Sequence, residues 1–563
     1  MKNKNTWEQK LLVDDEQAGP VFSGDAKLSE SKTVRDARLR RQIAGTLDIP
    51  EDKAGQLLAE VQGKLAMEEE GIEAVNYESD HPDEEAEQDY TLATLLSDHA
   101  AEMCELFTDD RGEPCAAVWT ADDENGHHEV MRIRSRSFRR WLQKQGRIQN
   151  ENNIPGSEAI SMALRDLEAK ALYDAESHPL HNRVARHEGA IWIDMADDRH
   201  RAIRVDRHGW NIVDDPPILF RRSKHQEPLP EPASGGNPWT LFQYANIPEE
   251  KQLLVLCYTA TCLIRDIYHP IPIFHGEPGR GKSHAMQFIR DLVDPSRIPL
   301  LEQPKKERDL IQQFDHHWMP FFDNMRTIPN WLSDMLCRSV TGAGIETRKL
   351  YTDEEAMIRE YNRCPGINAI NVTATQSDLL DRSFLVEFKP IDSRKDEANL
   401  TDAFKQDRPD ILGGLLDVLV SAMSIYEDVT LSSNPRMLGF AKWGFAVAQA
   451  LDGAGEKFLE QYRQDEQHRI QRAIENNPIG KAVLKLMEVR DEWIGTTAET
   501  LEKLEDVAEE YGIRTSSKEW PGNPAWLTRR LKPVKPMLRR TGIQYETPRS
   551  SDGNLTHFRK EED

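Results

Sequence analysis

Residues 269–289, HPIPIFHGEPGRGKSHAMQFI, restrict the possible folds of this chain more than any other stretch. The apolar run Ile271–Phe274 reads as a buried strand, the glycines as a tight turn, and the residues after Lys282 as the start of a helix. Between strand and helix, Gly276-Glu277-Pro278-Gly279-Arg280-Gly281-Lys282-Ser283 fits G-x-x-x-x-G-K-[ST]. In such a loop the glycines let backbone N–H groups close around the β- and γ-phosphates of a nucleotide. Lys282 then supplies a point charge, and Ser283 a hydroxyl for Mg²⁺. A glycine-rich turn that merely carries a lysine is the other reading. The strand before the loop and the helical pattern after it decide for a nucleoside triphosphate site spanning Gly276 to His284.

A chain of 563 residues exceeds a single core, so three or four domains are expected. With 97 acidic against 72 basic residues the net charge is −25, which repels a polyanion from most of the surface and confines any nucleic-acid contact to local patches. The six cysteines, Cys104, Cys115, Cys257, Cys262, Cys337 and Cys364, contain no C-x-x-C pair. That spacing suggests neither a zinc ribbon nor a disulfide framework, and predicts reduced intracellular thiols. Neither an N-terminal signal pattern nor an apolar run of about 18 residues is visible, so a soluble, cytoplasmic protein without membrane contact is expected.

Residues 51–90 hold 14 Asp/Glu against Lys53 and Lys64 alone. The plain expectation for residues 1–90 is a solvated, partly disordered acidic arm; the sharper one is a nucleic-acid mimic covering a basic surface. An α+β module is expected over 91–224, with strands near Ala116–Thr120, Val130–Ile133, 189–195 and 202–205 and helices at 136–145 and 157–173. Within it, Met131–Arg147 carries seven Lys/Arg, no acid, Phe138 and Trp141. That mix suits a phosphate-tracking surface, and equally an amphipathic helix whose Phe138, Trp141 and Leu142 face the core while the arginines are solvated. The Pro-rich stretch 225–239 breaks every period and reads as a linker.

Past the phosphate loop, Trp318-Met319-Pro320-Phe321-Phe322-Asp323-Asn324 is an apolar strand ending in a carboxylate, suited to holding Mg²⁺ and its water shell. Asn324 follows where many such motors carry a glutamate, and an amide orients water without acting as a base. Gly342–Arg363 reads as a β-hairpin around Thr352–Glu355. Gly366–Val372 is a third apolar run, with Asn368 at its end. Asp378-Leu379-Leu380-Asp381-Arg382 then places an arginine beyond the sheet, as an arginine finger for a neighbouring subunit or as a partner of Asp381.

This order of motifs resembles the superfamily 3 helicase branch of the AAA+ ATPases, in particular the primase-associated helicases of viruses, plasmids and integrated elements and their bacterial and archaeal ATP-binding relatives. The resemblance covers roughly residues 240–392. It implies that Lys282, Ser283 and Asp323 bind ATP and Mg²⁺, that Asn368 senses the γ-phosphate, and that Arg382 acts in trans within a ring, by analogy a hexamer. It also implies that Arg348 and Lys349 on the hairpin grip one DNA strand in a central channel, with primase or other replication proteins as partners. Two departures stand out: Asn324 replaces the usual second acid, and the hairpin tip is acidic.

Residues 400–477 carry helical periodicity and are expected to form a helical lid beside the 240–399 core. Residues 478–563 read as a winged helix: Thr496–Glu499 makes a capping box, Asn523-Pro524 opens a second helix, Pro533 and Pro536 sit in the first turn of a third, and Asp552-Gly553 turns the wing. Between Trp526 and Lys560 lie nine Lys/Arg against Glu546 and Asp552. Arg529, Arg530, Lys532, Lys535, Arg539 and Arg540 are therefore the expected duplex-DNA contacts, although a winged helix also serves protein contacts. The fold class is multidomain: an α+β N-terminal module, an α/β P-loop core with a lid, and a C-terminal winged helix. Two functions fit, a DNA-stimulated ATPase and helicase or translocase for replication of a mobile element, and a nucleotide-controlled assembly or sensor ATPase that recruits partners without unwinding.

Overall fold

The computed structural model describes residues 84–120, 127–149, 154–342, 344–348, 356–369, 377–391, 396–432, 435–516, 520–550 and 553–561. The acidic arm expected over 1–90 lies outside the described residues up to Asp83, and from Glu84 the backbone is helical. A helix α1 (Glu84–Met103) leads into strands β1 (Cys104–Thr108), β2 (Pro114–Thr120) and β3 (His127–Arg132), an antiparallel sheet in that order, followed by helices α2 (Arg136–Gln149) and α3 (Ser157–Tyr173). Their shared core contains Leu96, Val118, Phe138, Leu142, Ile160 and Leu167. Phe138 and Leu142 lie one turn apart on α2 and are fully buried, while Arg136, Arg139, Arg140, Lys144 and Arg147 are exposed. The basic segment is therefore an amphipathic helix with its cations in solvent.

The next strands belong elsewhere. Strand β4 (Leu180–His181) pairs with β9 (Leu219–Phe220), and between them β5 (Val184–His187), β6 (Ala190–Asp194), β7 (Ala202–Asp206) and β8 (Gly209–Val213) form an antiparallel meander. Its inward residues Val184, Ile191, Ile193, Ile203 and Val205 share a core with the phosphate-loop region rather than with α1–α3. The stretch 225–239, expected to be a free linker, is strapped onto that core. Glu227 N–H donates to Pro295 O (3.0 Å), Leu229 N–H to Met195 O (2.8 Å) and Ala233 N–H to Pro409 O (3.0 Å). Proline and glycine abolish its periodicity, but its backbone groups are satisfied by neighbouring elements instead of by water. A Cβ at Gly413 would stand 1.7 Å from Ala233 O, so only glycine lets the strap cross the helix beneath it.

A 3₁₀ turn (Pro238–Gln243) and helix α4 (Glu249–Thr261) precede β10 (Ile271–His275) and α5 (Lys282–Val293). Then come α6 (Glu307–His316), β11 (Phe321–Met325), α7 (Asn330–Ser339), the hairpin strands β12 (Gly344–Arg348) and β13 (Ala356–Glu360), β14 (Gly366–Ala369), α8 (Ser377–Asp381) and β15 (Ser383–Glu387). Strands β11, β14, β10 and β15 lie in that order, all parallel, with Leu301 bridging to Phe322 at the outer edge. Parallel strands are covered on both faces, which is why β10 and β14 read as unbroken apolar runs. Helices α9 (Glu397–Tyr426), α10 (Leu438–Asp452) and α11 (Gly455–Asn476) complete the layer. By length and composition α9 could cross a membrane, contrary to the expectation that no such run exists, but its Ile411, Leu412, Leu415, Leu416 and Leu419 are spent on this core.

The C-terminal unit has a separate core. It comprises α12 (Pro478–Glu488), β16 (Glu492–Thr496), α13 (Thr497–Glu510), α14 (Pro524–Arg540), β17 (Ile543–Glu546), β18 (Arg549–Ser550) and β19 (Gly553–Lys560), with β19 between β16 and β17. Thr496 and Glu499 form the expected capping box. Pro533 and Pro536 do not open a third helix: both lie inside α14, on its exposed side. There the carbonyls they leave unpaired can bond water, while Leu527, Leu531, Val534 and Leu538 hold the helix to the core. The third helix is α12, whose Asn477 caps it by accepting from Ile479 and Gly480 N–H.

One buried carboxylate joins several of these elements. Asp294, just past α5, accepts from Arg183 Nε (3.1 Å) at the head of the meander and from Trp318 N–H (2.9 Å) and Met319 N–H (3.0 Å) before β11. Burial raises its pKa, but the Arg183 and Arg290 guanidiniums outweigh that and hold it below the usual carboxylate range. Burial, reinforced by Arg290, pushes His317 down to about 3, so its neutral Nδ1 accepts from Arg290 Nη2 at 2.8 Å. Replacing Asp294 by Ala strands two buried guanidiniums, and equilibrium unfolding is expected to show a loss of about 3–5 kcal/mol. Because the folded-state pKa is depressed, the wild-type contribution is fully present above about pH 4, the unfolded value, and lost as the pH falls through the folded one.

Candidate nucleotide-binding site

The C-terminal ends of β10, β11 and β14 converge, and with them most of the predicted site residues. The loop 276–281 leaves β10 and runs into α5, aiming that helix's N-terminus at the cleft. Gly276 has φ 135°, and a Cβ there would meet Phe388 O at 3.0 Å; Gly281, with φ 79°, caps the helix in the left-handed region. Both positions demand glycine. Arg280 Nη1 donates to Phe388 O (2.9 Å) and its other nitrogen pairs with Glu277, which fixes the loop's outer wall.

Lys282 is buried and its ammonium turns back onto the loop, donating to Gly276 O (2.9 Å) and Glu277 O (2.8 Å). Burial lowers its pKa, with Asp323 opposing and Arg280 adding to the shift. Carbonyls stand in here for the phosphate oxygens such a lysine binds. Ser283 Oγ lies 3.1 Å from both Asp323 carboxylate oxygens, and the Asn368 amide donates to Asp323 and, at 3.2 Å, to Ser283 Oγ. This set of hard oxygens fits Mg²⁺, which keeps several waters and takes only one or two protein ligands. The strand order explains the cluster: β14 lies between β10 and β11, and Phe274 pairs with Asn368, so Asn368 stands between loop and carboxylate.

Asn324 occupies a strained backbone position. The β11–β14 register shifts between Phe322 and Met325, and Asn324 sits in that irregularity with φ 54°. Its N–H donates to Asp323 Oδ1 (3.0 Å) and its amide to Oδ2 (3.2 Å). Asparagine tolerates the left-handed region far better than glutamate does, which gives a conformational reason for an amide where a second acid was expected.

The cleft has a volume of about 520 Å³, and its lining includes residues that sequence reasoning missed: Tyr244, Asn246, Ile391, Glu397 and Leu400. Asn246 Nδ2 donates to Arg280 O and Lys389 O, both at 3.2 Å. The apolar members form a wall suited to a nucleobase. They come from the turn before α4, the segment after β15 and the start of α9, outside the loop and without any motif.

Arg382 is not in this cleft. Its carbonyl accepts from Ile271 N–H (2.8 Å) at the opposite end of β10, a strand-length or about 16 Å away. Its side chain is largely buried and pairs with Asp378, not with Asp381. Asp381 instead pairs with Arg436 (2.6 Å) and with Arg540. Arg540, expected to contact DNA, is thus already engaged within the chain. Arg529 and Arg530 stack near Trp526, Lys535 lies over Tyr545, and Lys532 and Arg539 are exposed on α14. Arg348 lies in β12 opposite Ala356, whereas Lys349 and the acidic tip Thr352–Glu355 fall outside the described residues, as does Asp552 of the predicted wing turn.

The model of a family described as the actinomycete integrative conjugative element replication protein matches residues 239–467, and the model of that family's C-terminal domain matches 479–562. Together they cover more than half of the chain. The chain belongs to this replication-protein family. No curated protein matches its sequence. Among solved structures, the apo NrS-1 C-terminal region matches with 9% identity, covering 84% of this chain and 99% of that one, at a TM-score of 0.38. A structure titled "SCCmec type IV Cch - active helicase" matches with 10% identity over 81% and 92% of the two chains, at a TM-score of 0.44. Scores this low leave the arrangement to be read from the chain itself.

The strain at Asn324 is measurable. Asn324→Gly is expected to leave thermal stability near wild type, whereas Asn324→Ala should lose about 1 kcal/mol, because alanine keeps the Cβ but lacks the short polar side chain that eases the left-handed region. Equal effects of the two would show that the amide, not the backbone, sets the residue.

Proposed function

We propose that this protein is an ATP-driven DNA helicase or translocase of the superfamily 3 AAA+ type, acting as a cytoplasmic ring, by analogy a hexamer, in replication of its mobile element. The observation that carries this reading is the convergence of Lys282, Ser283, Asp323, Asn324 and Asn368 at one end of a parallel sheet while Arg382 stands at the other. Gly276 to His284 enclose the phosphates, and Lys282 exchanges its loop carbonyls for phosphate oxygens. Mg²⁺ held by Ser283 and Asp323 would neutralise charge on the β- and γ-phosphates. Asn368 senses the γ-phosphate, and Asn324 orients water without accepting its proton, which favours slow turnover. Arg382 cannot reach its own nucleotide across the sheet, so it completes the neighbour's site after release from Asp378.

Helices α9–α11 act as the lid, since Glu397 and Leu400 at the start of α9 line the cleft. The hairpin with Arg348 and Lys349 contacts a single strand, and the C-terminal unit, read as a winged helix, presents Arg529, Lys532, Lys535 and Arg539 to a duplex. The second reading, a nucleotide-controlled assembly ATPase, is favoured by Asn324 and by the acidic hairpin tip.

ATPase assays with and without single-stranded DNA separate the two. The helicase reading expects DNA stimulation and strand displacement, both abolished by Lys282→Ala; a rate indifferent to DNA, with no displacement, rejects it. Arg382→Ala should lower kcat about 10³-fold with nucleotide affinity retained. Mixing it with Lys282→Ala chains should recover activity, because some interfaces then pair an intact loop with an intact finger.

Lys532→Glu with Arg539→Glu should weaken duplex binding and flatten its salt dependence, by roughly one unit of slope for each phosphate that the variant no longer neutralises. Unchanged binding would place the duplex-binding surface away from α14.

A further inference from the structure

Two cysteines and a histidine that spacing keeps apart meet in the interior. Cys262 caps the end of α4, His269 lies two residues before β10, and Cys364 two residues before β14. All three are fully buried, and the two sulfurs and a ring nitrogen of His269 lie within 4.8 Å of one another. The two cysteines are separated by 102 positions, so no sequence motif marks them. The site sits at the end of the sheet opposite the nucleotide cleft, walled by Trp318, whose indole N–H donates to Cys262 O (2.7 Å) and whose carbonyl accepts from Cys364 N–H (3.1 Å).

Buried thiols alone are ordinary, because cysteine packs as a small hydrophobe. The histidine is what needs explaining. Its Nε2 bonds the Thr261 carbonyl at 2.8 Å, which makes Nε2 the protonated nitrogen and leaves a lone pair on Nδ1. Nδ1 is buried and has no hydrogen-bond partner among the described residues. The Tyr258 hydroxyl is buried next to both thiols. A histidine whose ring reaches two thiols, with one nitrogen on a backbone carbonyl and the other without a partner among the described residues, has the outer-shell arrangement of a metal ligand.

We propose that Cys262, His269 and Cys364 form a structural Zn²⁺ site, with Tyr258 closing its fourth side. Two thiolates and a neutral imidazole around a divalent ion make a net-neutral group, which a dry interior tolerates, whereas a monovalent ion there leaves a charge behind. Zn–S distances of about 2.3 Å and Zn–N distances of about 2.0–2.1 Å require ligand atoms roughly 3.4–3.8 Å apart, so from a spread of at most 4.8 Å the ligands need to draw in by no more than about 1.4 Å. Binding displaces the two thiol protons to solvent, and the ion staples the start of the phosphate-loop strand to the start of the Asn368 strand. The site is independent of the proposed motor activity.

The test is metal content of the full-length protein purified without chelator. About one zinc per chain is expected, retained in Asp323→Ala and lost in Cys364→Ser and His269→Gln. Because those variants could unfold, the wild type is also reconstituted with Co²⁺, where a near-ultraviolet thiolate-to-cobalt charge-transfer band is expected. Absence of both stoichiometric zinc and that band overturns the proposal. So does a Cys262–Cys364 disulfide in the unreduced protein by mass spectrometry, and so does preferential loading of Cu⁺ when both metals are offered.

Discussion

The arrangement depends on the burial of Asp294. A carboxylate without solvent is tolerable only when it is paired and hydrogen-bonded, and here the partners come from three separate parts of the chain: the Arg183 and Arg290 charges and the Trp318 and Met319 amides. That requirement fixes where α5 ends relative to the entry of β11. Ser283 lies at the start of α5 and Asp323 within β11, so the two elements tied together at Asp294 are the two that carry the 3.1 Å contact of hydroxyl and carboxylate.

The parallel sheet divides the chemistry between its two ends. Strand carboxyl ends carry the phosphate loop, Asp323 and Asn368, and the α5 N-terminus adds its partial positive charge there. Strand amino ends carry Arg382 and the Cys262–His269–Cys364 cluster. Inserting β14 between β10 and β11 lets one asparagine contact both the loop serine and the strand carboxylate, so a shift in any of the three strands reaches the other two.

What was legible in the sequence was whatever a local pattern encodes. The loop, the apolar strands β10, β11 and β14, the hairpin β12–β13, the helix at 157–173 and the Thr496–Glu499 capping box follow from short-range periodicity or capping chemistry, and the structure places them where expected. Contacts distant in sequence were not legible. The strap at 225–239 reads as a linker because proline and glycine hide the fact that its amides find partners on Met195, Pro295 and Pro409. The prolines of α14 read as helix starts because a pattern does not say which face meets water. Tyr244, Asn246 and Leu400 join the cleft, and Cys262 meets Cys364, only through tertiary folding. Asn324 was visible as a departure, but its reason, a left-handed backbone, was not.

The short helix α8 brings these threads together. Asp378 holds Arg382, while Asp381 is held by Arg436 and by Arg540 from the C-terminal unit. The pairs of Asp381 are partly exposed, and such pairs contribute little each, about 0–1 kcal/mol, so exchanging their partners costs little. Under the proposed function Arg382 has to leave Asp378, and with that carboxylate half exposed this asks less than breaking a fully buried pair such as Arg183–Asp294. Arg540 lies on the same helix as the exposed Lys532 and Arg539, so any polyanion bound along α14 competes with Asp381 for that guanidinium. Arg436 bridges Asp381 and Asp378, so a change at Arg540 reaches, through Asp381 and Arg436, the carboxylate that holds Arg382. Under the proposed function, the state of the C-terminal surface and the readiness of the finger are then coupled through two carboxylates one helical turn apart, without a dedicated conformational switch.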